Sequence, residues 1–366
     1  MRVLVVNAGS TSVKLRLVER DDTVSRSANL GPPDSGIEAE VDEFLAAAGA
    51  VDAVGHRVVH GGPRFVRPVR VDDAVRADLD SLTDLAPLHN PPALRALDAL
   101  RRAAPDTPAV ACFDTAFHAD IPEEARRYAL PVEWVRRWGI RRYGFHGLSC
   151  EWSLGRAASL LGRPADTMRL VVCHLGGGAS ATGIAGGRSV DTTMGFTPTE
   201  GLVMATRSGD VDPGAIAWMA ERGLSGEELM DGLENRSGLL GLTGGRSGDM
   251  KELLEARAAG DTVAAGAVAV FVHRLRAEIA AMATSAGGLD VLVFTGGIGE
   301  RGAAVREETA VGLEWAGVHL DGEANRAVAG GDADISAPGT PVRILVVQAR
   351  EEVVVADHCR AVLAAG

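Results

Sequence analysis

With 366 residues, 46% of them hydrophobic, the chain can bury more than one core, since single cores stop growing near ~250–300 residues. A formal net charge of −12 excludes a general nucleic-acid binder and a protein of anionic membrane surfaces. Four scattered cysteines (Cys112, Cys150, Cys173, Cys359) with no CxxC pair predict a reducing, cytoplasmic compartment and no structural zinc.

The chain opens directly into a strand, with no signal-peptide pattern. LVVNAGSTSVKLRLV (4–18) reads as an apolar strand, a small-residue loop and an alternating strand. The loop carries Asn7, Ser10, Ser12 and then Lys14, one of only two lysines; the other is Lys251. Residues 31–43, acidic and proline-bearing, read as surface loop. Buried strands are predicted at 51–60, 109–114, 170–176, 291–297 and 342–347, and helices near 92–104, 147–162, 212–222, 249–259, 262–286 and 351–364. This mixture is α/β. Residues 4–15 and 170–184 share one plan, a strand, a small-residue loop and a short second strand, so the chain divides into two related halves with a boundary near 147–152. The apolar run 263–272 is stopped by His273 and Arg274, too short to span a bilayer.

Three junctions have the composition of anion sites. The first is the loop after Asn7. The second, His174-Leu175-Gly176-Gly177-Gly178, holds three consecutive glycines, which are costly unless backbone must approach something closely. The third, Gly296-Gly297-Ile298, ends a strand and opens a helix. There is no GxxxxGK[ST], and the GxGxxG at 297–302 lacks the acidic residue ~20 positions on. The three loops resemble the actin / sugar kinase / Hsp70 architecture.

Six of nine histidines lie between positions 56 and 174, beside Gly, Pro or strand ends. GHRVVHGG holds Arg57, PLHNP holds His89, CFDTAFH holds Asp114, YGFHG holds Phe145 and His146, and the block 191–214 holds Arg207. No HxxxH or HExxH is present, so arginines and carboxylates around a phosphoryl group explain the cluster better than a histidine-bound metal.

In this order, NAGSTSVKL, GHRVVHGG, PLHNP, FDTAFH, YGFHG, HLGGGAS, TPTEGLVMATRSGDVDP, FTGGIGE and REEVVVA resemble the acetate kinase family, from residue 4 to residue 356. The resemblance implies two duplicated α/β domains with an interdomain active-site cleft. The first would be 1–148 with 353–366; the second, 149–352, would bind nucleotide and form a homodimer, for which 263–282 is a candidate. It implies reversible, direct in-line phosphoryl transfer between ATP and acetate, giving acetyl phosphate and ADP, with Mg²⁺ (Mn²⁺ as substitute).

Carried over residue by residue, Asn7, Ser10, Ser12 and Lys14 lie along the phosphate and metal path. Arg57 and Arg207 bracket the migrating group, and His146 donates to the transition state. Asp114 orients the acyl carboxylate, and Glu351 joins Asn7 at the metal, with Glu352 as the competing register. His89 and His174 line the site. Val59, Leu88, Phe145 and Pro198 form the methyl pocket. Gly176, Gly177, Gly178, Asp249, Met250, Lys251, Gly296, Gly297 and Ile298 serve the nucleotide. Acetate is already ionised at pH 7 and needs charge neutralisation more than a base.

Gly177, Lys251, Arg301 and Arg350 depart from the family pattern, and all four are expected on the nucleotide side. Two alternatives stay open: propionate or another short-chain acid as acceptor, or a donor other than ATP. One methylene discriminates by only ~10–200-fold. A noncatalytic nucleotide-binding regulator would show degenerate arginines or a lost Asp114, and neither is seen.

Overall fold

The computed structural model describes residues 1–9, 12–33, 36–86 and 90–365. They form two compact units. The first comprises Met1–Ala119, Phe145–Trp152 and Arg350–Gly366, the second Asp120–Gly144 and Ser153–Ala349.

The first unit holds a six-stranded sheet of β1 (Val3–Ala8), β2 (Val13–Val18), β3 (Val24–Leu30), β4 (Ala53–Val58), β5 (Val69–Arg70) and β6 (Ala109–Phe113), in the order β3-β2-β1-β4-β6-β5. The second holds β7 (Leu170–Leu175), β8 (Ala179–Ala185), β9 (Arg188–Thr192), β10 (Val291–Thr295), β11 (Ala333–Asp334) and β12 (Arg343–Val346), in the order β9-β8-β7-β10-β12-β11. Numbered within each unit, both orders are third, second, first, fourth, sixth, fifth. In both, an antiparallel meander is followed by two parallel strands and a short antiparallel edge strand. The resemblance between two hairpins thus extends to two complete sheets of one topology.

Alternation along the strands sorts side chains onto two faces. In the first unit Leu4, Val6, Ala8, Leu15 and Val54 pack against Val41, Phe44, Ala96 and Leu100 from the helices Glu38–Ala48 and Asn90–Ala103. Val3, Val5, Val110 and Cys112 face the other way, onto Leu148 and onto Val354, Val355, Ala356 and Cys359 of the C-terminal helix Glu351–Ala364. The central strands are covered on both sides, which is why they read as continuous apolar runs. In the second unit the helix Thr262–Ser285 lays Ala264, Val268, Phe271, Leu275, Ile279 and Met282 inward and packs on β7, β8 and β9.

The stretch 31–43 is not all loop. A helix starts at Glu38, because Ile37, Val41 and Phe44 recur at helical spacing and bury completely or nearly so. The strands β3, β5, β9 and β11 carry no clear apolar pattern and escape a reading by periodicity. No helix among the described residues is long and apolar enough to cross a membrane. All four cysteines are buried and in no disulfide.

Candidate functional site

In the first unit the site begins with register. Asn7 at the end of β1 lies between Lys14 on β2 and Arg57 on β4, and Arg57 lies beside Cys112 on β6. Asp114 follows β6 directly. Parallel strands that end together put these side chains at one edge of the sheet, the usual location of ligand sites in α/β folds. Arg57 donates from Nε to Asp114 Oδ1 at 2.9 Å, from Nη2 to Oδ2 at 2.5 Å, and from Nη1 to Asn7 Oδ1 at 3.0 Å. Glu351, the first residue of the C-terminal helix, reaches Arg57 Nε at 3.8 Å. Burial alone would weaken the Arg57 charge; Asp114 and Glu351 outweigh it and hold the guanidinium above its usual value.

The surroundings of this fork are fixed by backbone. Gly147 N–H donates to Asp114 O at 2.9 Å. His146, just before it, holds a left-handed φ of 58°, sparsely populated for a non-glycine residue. Phe145 is buried edge-to-face on His60, and its carbonyl accepts His118 Nε2 at 2.9 Å. Asn90 locks the end of β4, accepting the His60 N–H and donating to the His60 carbonyl, both at 3.1 Å. Sequence reading passed over Asn90, although it stands inside the quoted PLHNP motif. Val59 is half-buried just past β4. Ser12 O accepts the Gly9 N–H at 2.9 Å. Ser10, Leu88 and His89 lie outside the described residues.

In the second unit, His174 at the end of β7 pairs across to Ser180 on β8 and Thr295 on β10, the position Asn7 takes in the first sheet. Gly176, Gly177, Asp249, Met250, Lys251, Gly297, Ile298 and Arg301 line one cavity of about 630 Å³, with Ala205, Leu254 and Glu255. Asp249 also caps the helix Met250–Ala258, accepting the N–H of Lys251 and Glu252. Gly178 and Gly296 do not line the cavity: Gly178 O accepts the Gly176 N–H at 2.9 Å, and Gly296 is buried against Leu175. Of the four departures, Gly177, Lys251 and Arg301 lie on this cavity. Arg350 does not; it belongs to the first unit, where it stacks over Trp152 and donates to Asp22 O.

Arg207 lies in the same unit on a tight loop in which Met204 N–H donates to Arg207 O at 3.1 Å. Gly238, at φ 61°, lets a second segment approach so closely that a Cβ there would stand 2.7 Å from Arg207 O. The guanidinium donates to Pro198 O at 3.0 Å. Burial pulls its charge below the usual range, and Glu234 opposes this. Glu200, Tyr128 and Arg142, which brace the loop around Pro198, were missed in sequence: Glu200 sits unremarked within the quoted TPTEG motif, Arg142 stands just before YGFHG, and Tyr128 lies in no motif.

The acetokinase family model matches residues 36–357. The chain belongs to the acetokinase family. It is 43% identical to the acetate kinase of Clavibacter michiganensis subsp. michiganensis, covering 99% of each chain, and 46% identical to that of Deinococcus radiodurans, over 96% of this chain and 89% of the relative. The fold superposes on the crystal structure of Porphyromonas gingivalis acetate kinase with a TM-score of 0.90 at 34% identity and 99% coverage of each chain. A propionate kinase from Francisella tularensis gives the same TM-score at 32% identity, with 98% of each chain covered. Family membership makes this chain a kinase of the acetate kinase type, with ATP as its co-substrate.

Proposed function

We propose that the protein catalyses the reversible, Mg²⁺-dependent transfer of the γ-phosphoryl group of ATP to acetate, giving acetyl phosphate and ADP. The observation that carries this reading is the fork at Arg57, whose guanidinium is ordered by Asp114 and Asn7 and reached by Glu351. A carboxylate oxygen of acetate attacks the γ-phosphorus in line, the new O–P bond forms, and the bond to the β-phosphate oxygen breaks with ADP as leaving group. Arg57 and Arg207 supply guanidinium charge to the migrating group, Asp114 orients Arg57 and the acceptor, and His146 donates a hydrogen bond.

Asn7 Oδ1 and the Glu351 carboxylate are hard oxygen donors suited to Mg²⁺, which takes one or two protein ligands and completes its shell with water and phosphate. The ion neutralises phosphate charge when bound. Glu351 is favoured over Glu352 because Glu352 pairs with Arg350 at 3.4 Å instead. Val59 and Phe145 support a small acyl pocket, and the propionate kinase likeness supports overlap with longer acids. We also infer a cytoplasmic homodimer, supported by four cysteines in no disulfide and by the exposed Trp218, Met230, Val263 and Val270 of the second unit.

The test is acyl phosphate formation, trapped as the hydroxamate with hydroxylamine, run with acetate, propionate and butyrate and with ATP, GTP and pyrophosphate. The reading predicts acetate with ATP as the best pair. ADP release no faster with acetate than without it would sink it.

A further inference from the structure

In the second unit the segment 192–200 is gripped by two side chains from the segment before it. Arg142 Nη1 donates to the carbonyls of Thr192 and Thr193, each at 3.0 Å, and its Nη2 donates to Glu200 Oε1 at 2.7 Å. The Tyr128 hydroxyl donates to Glu200 Oε2 and accepts the Phe196 N–H at 2.9 Å. Gly195 O accepts the N–H groups of Tyr143 and Gly144, at 3.0 and 3.4 Å. A Cβ on Gly195 would overlap both Glu200 Oε2 and the Tyr128 hydroxyl, so only glycine lets that pair meet.

Two residues before Glu200, the Pro198 carbonyl accepts Arg207 Nη1. Among the described residues Arg207 makes no ion pair; Glu234 acts on it only through space, and its other hydrogen bond is to Met204 Sδ at 3.7 Å. A carboxylate partner would orient this guanidinium and also spend its charge. A neutral carbonyl orients it and leaves the charge for an arriving anion, provided that the carbonyl itself cannot move.

We propose that Glu200, clamped by Tyr128 and Arg142, is a positioning residue for Arg207: it immobilises the Pro198 carbonyl and thereby aims the guanidinium. The kinetic side of this inference rests on the phosphoryl-transfer reading; the geometric side does not.

The test is a double-mutant cycle with a second readout independent of turnover. Glu200→Gln keeps the volume and removes one of the two clamps. It should lower kcat by ~10–100-fold with both KM values within ~3-fold, and cost under ~2-fold more in an Arg207→Ala background. Equal losses in both backgrounds would overturn the proposal, since a role in general stability does not depend on Arg207. In parallel, ¹⁵N NMR of the Arg207 Nε–H, assigned through Arg207→Lys, should show solvent exchange accelerated by ~10-fold or more in Glu200→Gln, where ~1.4 kcal/mol of ordering corresponds to tenfold. An unchanged signal overturns the proposal even if acetate proves not to be the acceptor. Inactivity of the wild type with acetate would instead remove the functional reading alone. If Glu200→Gln fails to fold, Tyr128→Phe removes a single hydroxyl and is held to the same two outcomes.

Discussion

Arg57 meets Asp114 as a two-pronged pair, Nε on one carboxylate oxygen and Nη2 on the other, with Asp114 only 1% exposed. The pair is therefore a buried ionic one and, on the proposed reading, a catalytic arrangement as well. Arg57→Ala should lower kcat by ~10³-fold, on the scale of an arginine finger, and also strand the Asp114 charge, at a cost of ~3–5 kcal/mol. Arg57→Lys should recover stability better than rate, because one ammonium cannot reproduce the fork. Steady-state kinetics beside urea unfolding read the two effects separately. A loss of rate below tenfold with full stability would take Arg57 out of the site.

Arg207, which has no such partner, should behave differently. Arg207→Ala should lower kcat by a similar ~10³-fold with little loss of stability, since no buried anion is left behind. Thermal midpoints of the two alanine variants make the comparison. An Arg207→Ala protein as destabilised as Arg57→Ala would contradict the counter-ion argument.

Glu351 and Glu352 begin the same helix but point to different partners. Glu351→Gln should raise the Mg²⁺ concentration needed for half-maximal activity by ~10-fold or more, a loss of ~1.4 kcal/mol. Glu352→Gln should leave the Mg²⁺ titration within about twofold. The reverse pattern would assign the metal to the neighbouring residue.

Acid should unfold the protein partly through two histidines. Burial depresses His56 to about 3, with Asp98 opposing and Arg101 adding to the shift; burial depresses His118 to about 4, against the hydrogen bond to Phe145 O. Between those values and the ordinary 6.5 the unfolded chain binds protons that the native chain does not. Stability therefore falls as pH drops below ~6.5, with each histidine contributing up to ~1.4 kcal/mol per pH unit. Urea midpoints from pH 7.5 to 4.5 should fall, and His56→Leu should flatten the slope. An identical slope in that variant would show that His56 carries none of it.

The cavity lined by Gly177, Lys251 and Arg301, where we propose that the nucleotide binds, offers a charge test. Arg301→Glu places an anion beside Gly297 and should raise KM for ATP by ~10-fold or more while KM for acetate stays within about twofold. A matched rise in both would place Arg301 outside a nucleotide-specific surface.

The parts of the fold legible in the sequence were those buried on both faces. β1, β4, β6, β7, β10 and β12 announce themselves as apolar runs, and the side chains at their ends (Asn7, Arg57, His174) or just past them (Asp114) inherit a position from them. Edge strands such as β5 and β11, two residues each, have no periodicity to detect. Arg350 was misplaced because a motif gives neighbours along the chain, whereas its partners Asp22 and Trp152 come from elsewhere. The brace of Glu200 was invisible for the same reason: nothing in the spacing of Tyr128, Arg142 and Glu200 says that they meet.

The C-terminal helix belongs to the first unit, although the whole of the second unit precedes it in the chain. On the ribosome, β1 to β6 emerge early, but the helix that covers Val3, Val5, Val110 and Cys112 comes only after residues 153–349 have been made. At ~5–20 residues per second that is a delay of tens of seconds, during which one apolar face of the first sheet is without its cover. Glu351 arrives with that same helix, so the Arg57 cluster is completed only after residues 153–349 have been made. A nascent chain therefore acquires its apolar cover and the Glu351 carboxylate together, and a truncated product lacking the helix should be both inactive and prone to aggregate.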